Sequence, residues 1–173
     1  MADVETIKAQ MRAAFVTAPR PPAGSLHTSE QSDEASTLLE ADFAGRESWQ
    51  HLDASFIDQA PDGFGTALSF FSDEAFRYFL PAYLIADLDG LLLQADPVFH
   101  LTHGLTNATR DLHLAGGLDG ITWWQYRTGR LAAFVPAERA AIAAYLAHRA
   151  EVDDVARDDI EQSLANYWLD RSG

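Results

Sequence analysis

Four side chains in the middle of this chain are of the types that a metal centre uses. His100 and His103 stand three apart in HLTH, and Asp111 and His113 follow in RDLH. Neutral imidazole and carboxylate together suit zinc, nickel or non-haem iron, and residues three apart share a helical face. Such a set would serve a metal-dependent enzyme. The H-E-x-x-H spacing, which brings its own general base, is absent, so residue type speaks here more than pattern. The plainer reading is four polar positions on a partly exposed turn.

A second group is built for contact rather than chemistry. WWQYRTGR supplies Trp123, Trp124, Tyr126, Arg127 and Arg130 within eight positions. Aromatics and arginine are the residues enriched where proteins bind one another, and arginine forks onto carboxylates and phosphates. Two adjacent tryptophans cannot both occupy one regular element's inward face. The competing reading makes one tryptophan core and leaves the arginines to neutralise nearby acids.

Other chemistry finds no support. There is no cysteine, which removes disulfides, thiolate nucleophiles and iron–sulfur ligation together. There is no G-x-S-x-G elbow and no P-loop. DLDG at 87–90 opens like a calcium loop, but Leu92 and Val98 stand where such a loop needs glycine and glutamate. GFGTAL at 63–68 lacks the third glycine of a dinucleotide fingerprint. No cofactor is called for.

The chain has 173 residues, 26 acids and 12 bases, for a net charge of −14. Its length fits one domain. So acidic a surface repels phosphate backbones, which disfavours nucleic acid and would attract a basic partner. The charge is spread, at −6 over 1–60, −6 over 61–120 and −2 over 121–173. Spreading of this kind also serves plain solubility. The N-terminus carries Asp3 and Glu5 and no signal-like apolar core, and no stretch reaches the roughly 20 apolar residues of a membrane span. A cytoplasmic protein is expected, with no membrane partner.

Periodicity then says what must position these groups. Val4, Ile7, Met11 and Phe15 mark a first helix that stops near Thr17, where APRPPAG opens a proline-rich connector over 16–27. Thr28 and Gln31 have capping-box spacing for a helix reaching Phe43 and ending near Gly45. Trp49, Leu52, Phe56 and Ile57 make a short stripe closed by the turn APDGFG. Ser72 then caps a helix whose Phe76, Phe79, Leu80, Tyr83, Leu84 and Leu88 draw one wide apolar face. Tyr78, Arg77 and Asp87 fall off that face, and Pro81 should kink or split the helix.

Farther on, Asp96 and Pro97 open a short helix that ends at Gly104 or soon after. Thr122 and Gln125 again have capping-box spacing, although Ile121 to Tyr126 also suit a strand. Pro136 starts a helix lined by Ile142, Tyr145 and Leu146. An acidic C-terminal helix over 152–170 turns Val152, Val155, Ile160, Leu164, Tyr167 and Trp168 inward.

Trp49, FFSDEAFRYFLPAYL (70–84) and FVPAERAAIAAYL (134–146) together resemble an uncharacterised family of small bacterial proteins with a domain of unknown function. That family shows FLSPEAFRYYLPAYL-like and FTPEQRAAIAAFL-like blocks. The resemblance spans roughly residues 5 to 150, with the Pro81 block its specific part. It implies a mainly helical domain and supplies no activity, cofactor or site residue.

The reading that results is all-α: a single multi-helix domain over 1–173, of five to seven helices, with room for a small β element around 113–127. Its function is that of a non-enzymatic cytoplasmic interaction protein for a protein partner, a basic one in the sharper form. The alternative is the metal-dependent enzyme of His100, His103, Asp111 and His113.

Overall fold

The computed structural model describes residues 3–28, 34–59, 67–115 and 120–169. Within them the chain is all-α. Nine α-helices follow one another: α1 (Val4–Ala14), α2 (Glu34–Ala44), α3 (Ala54–Ile57), α4 (Ala67–Phe70), α5 (Asp73–Leu88), α6 (Pro97–Thr102), α7 (Trp123–Leu131), α8 (Pro136–Val152) and α9 (Arg157–Ser163). A 3-10 turn (Trp49–His51) precedes α3, and a π-helical turn (Leu164–Trp168) continues α9. This exceeds the five to seven helices expected because α3 and α4 are single turns, too short to show a period. No strand forms among the described residues. Isolated bridges join His27 to Phe71 and His113 to Thr122, the latter being all there is of a β element among the described residues near 113–127.

The chain divides into two compact units, 11–97 and the combination of 1–10 with 98–173. In the first, α5 is the centre. Ser72 Oγ accepts from the Ala75 amide, and Asp73 and Glu74 lie in the first turn, where the helix dipole favours negative charge. The helix passes through Pro81 as one element, so it is not split there. Phe71, Phe76, Phe79, Leu80, Tyr83 and Leu84 are all fully buried. Phe43 of α2 meets Phe71 at 5.1 Å, Phe79 at 5.0 Å and Phe56 at 4.9 Å between ring centroids. Tyr78, expected off the apolar face, is buried too, because the Glu47 segment covers that side and takes the Tyr78 hydroxyl at 3.3 Å.

The proline-rich connector is tied down. Glu40 of α2 accepts from the Gly24 and Leu26 amides, Arg20 donates to the Arg46 and Ala44 carbonyls, and the Ser72 hydroxyl donates to the Ser25 carbonyl. Asp58, just past α3, accepts from the amides of Leu93, Gln94 and Ala95 at 2.7–2.9 Å, fastening the segment before α6. Thr28 is described, but its expected capping partner Gln31 and the turn APDGFG lie outside the described residues.

In the second unit α8 packs on α9 and the π-helical turn. Glu138 accepts from the Val135 amide behind Pro136, and Ile142, Tyr145 and Leu146 are buried as expected. The acidic helix of 152–170 is not one helix. Asp153 Oδ1 accepts from the Val155 and Ala156 amides, and its Oδ2 takes Arg149 at 3.2 Å. An aspartate that captures backbone amides in this way offers the chain a turn in place of a helix. Val152 and Val155, expected inward, are therefore exposed, Val155 at 96%. Ile160, Leu164 and Trp168 keep their inward places. The Trp168 indole donates to the Leu101 carbonyl at 2.9 Å, and Asn166 donates to the Leu105 carbonyl, so the C-terminal segment holds α6 and its exit.

Candidate functional site

The exit of α6 is where the two groups of candidate residues come together. Gly104 ends that helix at φ 88°, a region that a residue without a Cβ enters freely. The same glycine permits a close approach, since a Cβ there would stand 2.9 Å from the Trp123 carbonyl oxygen. Thr109 Oγ1 accepts the Gly104 amide, and Arg127 Nε donates to the His103 carbonyl at 3.0 Å. On the other side of the contact, α7 starts as its residues dictate. Thr122 Oγ1 accepts from the Gln125 amide while Gln125 Oε1 accepts from the Thr122 amide, the reciprocal capping box. The Trp123 amide donates to the Leu112 carbonyl and that of Trp124 to the Arg110 carbonyl.

These constraints set four rings in a row. Phe99 stacks on His103 at 4.7 Å, His103 meets Trp123 edge to face at 4.5 Å, and Trp123 meets Tyr126 at 5.8 Å. The row is open at both ends: Phe99 is 45% exposed and Tyr126 36%, with Trp123 and His103 half-buried between them. Trp124 belongs to a separate ladder. Arg110 lies over its ring at 4.4 Å, Tyr167 meets it at 6.2 Å, and Arg139 lies over Tyr167 at 4.3 Å.

Arg127 and Arg130 lie beneath rather than on this surface, at 3% and 5% exposure. Burial, with Arg130 next, brings the Arg127 guanidinium down to about 10, which still leaves it charged at neutral pH. The same two arginines act on the neighbouring histidines. Burial first, then Arg127, Arg130 and His103, push His100 down to about 3. His103 is lowered by burial and Arg127, against an opposing pull from Asp159. Both imidazoles are thus neutral at pH 7.

The metal set does not assemble. Among the described residues, no three His, Asp or Glu side chains gather as ligands would. His103 is taken up by its ring contacts, His100 lies edge-on to Phe99 at 5.5 Å, Asp111 is exposed beside Arg110, and His113 is exposed. Of the contact group, Trp123 and Tyr126 are together on one surface, Trp124 is on its own ladder, Arg127 supports the His103 backbone from beneath, and Arg130 is buried. Phe99, Arg110, Arg139 and Tyr167 were not foreseen as partners of these rings. HLTHG and the capping box mark both chain ends of the contact, but nothing in the sequence marks their pairing across 24 positions.

The chain belongs to a family of unknown function, DUF6714, whose model matches residues 3–172. No curated protein and no solved structure matches it. No helix among the described residues is long and apolar enough to cross a membrane.

Proposed function

We propose that this family member works by contact: a non-enzymatic cytoplasmic interaction protein that binds a protein partner through the row Phe99, His103, Trp123 and Tyr126. The observation that carries this reading is a continuous run of touching rings left open at Phe99 and Tyr126. Large rigid rings give much contact area for little lost side-chain freedom, which is why tryptophan and tyrosine dominate binding hot spots. The buried Arg127 holds the His103 carbonyl and so keeps the row in place before any partner arrives.

Charge favours a basic partner. The protein carries −14 overall, Asp159 acts on His103, and the Asp111 side chain is exposed. The same charge opposes nucleic acid as the ligand.

The test is recovery of binding proteins from the native host by tagged wild type and by the Phe99→Ala/Tyr126→Ala double variant, at low and high salt. A partner bound by wild type and lost by a folded double variant is the expected result. Recovery of the same partner by both forms would overturn the assignment to this surface. Binding indifferent to ionic strength would remove the basic-partner form of it.

A further inference from the structure

The unit formed by 11–97 has a feature that a contact surface elsewhere does not use. Of the arginines among the described residues, Arg12 alone has no carboxylate, carbonyl or ring as partner. Arg20, Arg46, Arg110, Arg127, Arg139, Arg149 and Arg157 each have one, and Arg77 and Arg130 are engaged as well. In a chain with 26 acids, a guanidinium with no partner among the described residues is out of keeping with its surroundings.

Arg12, in the last turn of α1, lines a cleft of about 150 Å³ together with Trp49, Gln50, Ile85, Ala86 and Asp89. Trp49 is 4% exposed, and what it exposes borders this cleft. Gln50 is exposed at the same cleft. Three residues whose side chains carry donors (Arg12, Trp49 and Gln50) therefore line a space whose remaining wall is largely hydrocarbon, from Ile85 and Ala86 on α5 among others. A cavity of about 150 Å³ holds a body the size of benzene.

We propose that this cleft binds a small monocarboxylate with a compact apolar body. The guanidinium fork matches a carboxylate in two parallel hydrogen bonds, and Ile85 and Ala86 would take the hydrocarbon. Asp89 at the same cleft opposes a dianion such as phosphate. A plain acid and an α-amino acid both present the single carboxylate that the fork would take.

The experiment follows the indole and side-chain amide proton signals of Trp49 and Gln50 by NMR. Isovalerate, benzoate, leucine and neutral isovaleramide are titrated into the full chain. The expected result is saturable movement of both signals with a carboxylate and not with the amide. Stronger binding of isovalerate assigns a plain acid, and stronger binding of leucine an amino acid. Arg12→Gln, at an exposed position that should leave Tm unchanged, is expected to weaken binding by about tenfold or more. Arg12→Lys, which keeps the charge and loses the fork, should fall between the two. No movement with any carboxylate, equal response to isovaleramide, or unchanged affinity in Arg12→Gln would each overturn the proposal. None of these results bears on partner recovery by the Phe99/Tyr126 surface, so the two readings fail separately.

Discussion

Phe43, Phe71 and Phe79 in one unit and Phe99, His103 and Trp123 in the other sit at similar ring spacings, 5.0–5.2 Å and 4.5–4.7 Å. The first three are buried; in the second set Phe99 stands nearly half in water. Ring contact and burial are therefore separate properties. The first cluster is covered because α2, α5 and Phe71 in the link between α4 and α5 all send rings to one point, with Tyr83 closing it at 6.5 Å from Phe71. The second is made by two chain segments that touch edge to edge at Gly104. Its contacts order the rings, while its open area is still available to leave water, at about 25 cal/mol per Å².

The sharpest way to break this comparison is to truncate one ring from each set. Phe79→Ala removes a ring that is fully buried and in contact with Phe43, Phe71 and Tyr78. It should destabilise the protein by about 3–5 kcal/mol, as large-to-small core changes do. Phe99→Ala should cost about 1 kcal/mol or less, since it opens no cavity. Urea unfolding of both variants checks this. Equal losses would mean that the Phe99 row is core and not a surface.

The contact at Gly104 is the next largest effect. Gly104→Ala should cost about 2 kcal/mol or more, because a left-handed backbone is strained by roughly 1–2 kcal/mol and the new Cβ also meets the Trp123 backbone. Gly120→Ala is the control. It shares the positive φ, at 90°, but has nothing within 4 Å, so it should show the strain alone. The difference between the two variants in thermal or urea unfolding measures the close approach itself. Indole signals of Trp123 should shift only in the first.

That glycine also shows what could be read in advance. The ends of elements were legible: Ser72, Thr122 with Gln125, Pro136 and Gly104 all act on their own backbone within three or four residues. A cap is local chemistry, so local sequence states it. The all-α class was legible too, because helical spacing repeats along the chain. What a period cannot state is how many faces of a helix are covered. Tyr78 lies off the apolar stripe of α5, yet it is buried by a segment some thirty positions earlier. Arg127 and Arg130 look like surface charge and are buried, Arg127 on the His103 carbonyl. Asp153 counts as one more outward acid in a helical pattern until its carboxylate takes two amides and ends the helix. Each of these turns on a choice between competing partners that only the folded chain resolves.

A pH series tests the buried side of the open row. The ordinary histidine value is 6.5, and burial with Arg127 and Arg130 holds His100 down to about 3. Between those values the unfolded chain binds a proton at this site that the folded chain refuses. Stability from this group is thus complete above about pH 6.5 and falls as pH drops toward 3, by up to about 1.4 kcal/mol per pH unit. Urea unfolding of wild type and His100→Gln at pH 7, 6, 5 and 4 separates it from the carboxylates, which act on both. The wild type should lose more stability than the variant over that range. Parallel curves would show that His100 is freely protonated in the folded state.

The two helix caps carry the comparison to its smallest scale. Ser72 caps α5 where it enters the sealed cluster, and its hydroxyl both accepts the Ala75 amide and donates to the Ser25 carbonyl, tying the connector to the helix. Thr122 caps α7 beside the open row, and the hydrogen bonds of its hydroxyl all lie within the capping box itself. Removal of a cap usually costs about 1 kcal/mol. Ser72→Ala should exceed that, at roughly 2 kcal/mol, because it also leaves a carbonyl in the connector without its donor. Thr122→Ala should reach about 1 kcal/mol at most, since water can replace the hydroxyl at an exposed helix start. If Thr122→Ala proved the more damaging of the two in urea unfolding, the start of α7 would have to be part of a closed core. The row of rings above it would then lose its standing as a surface waiting to be covered.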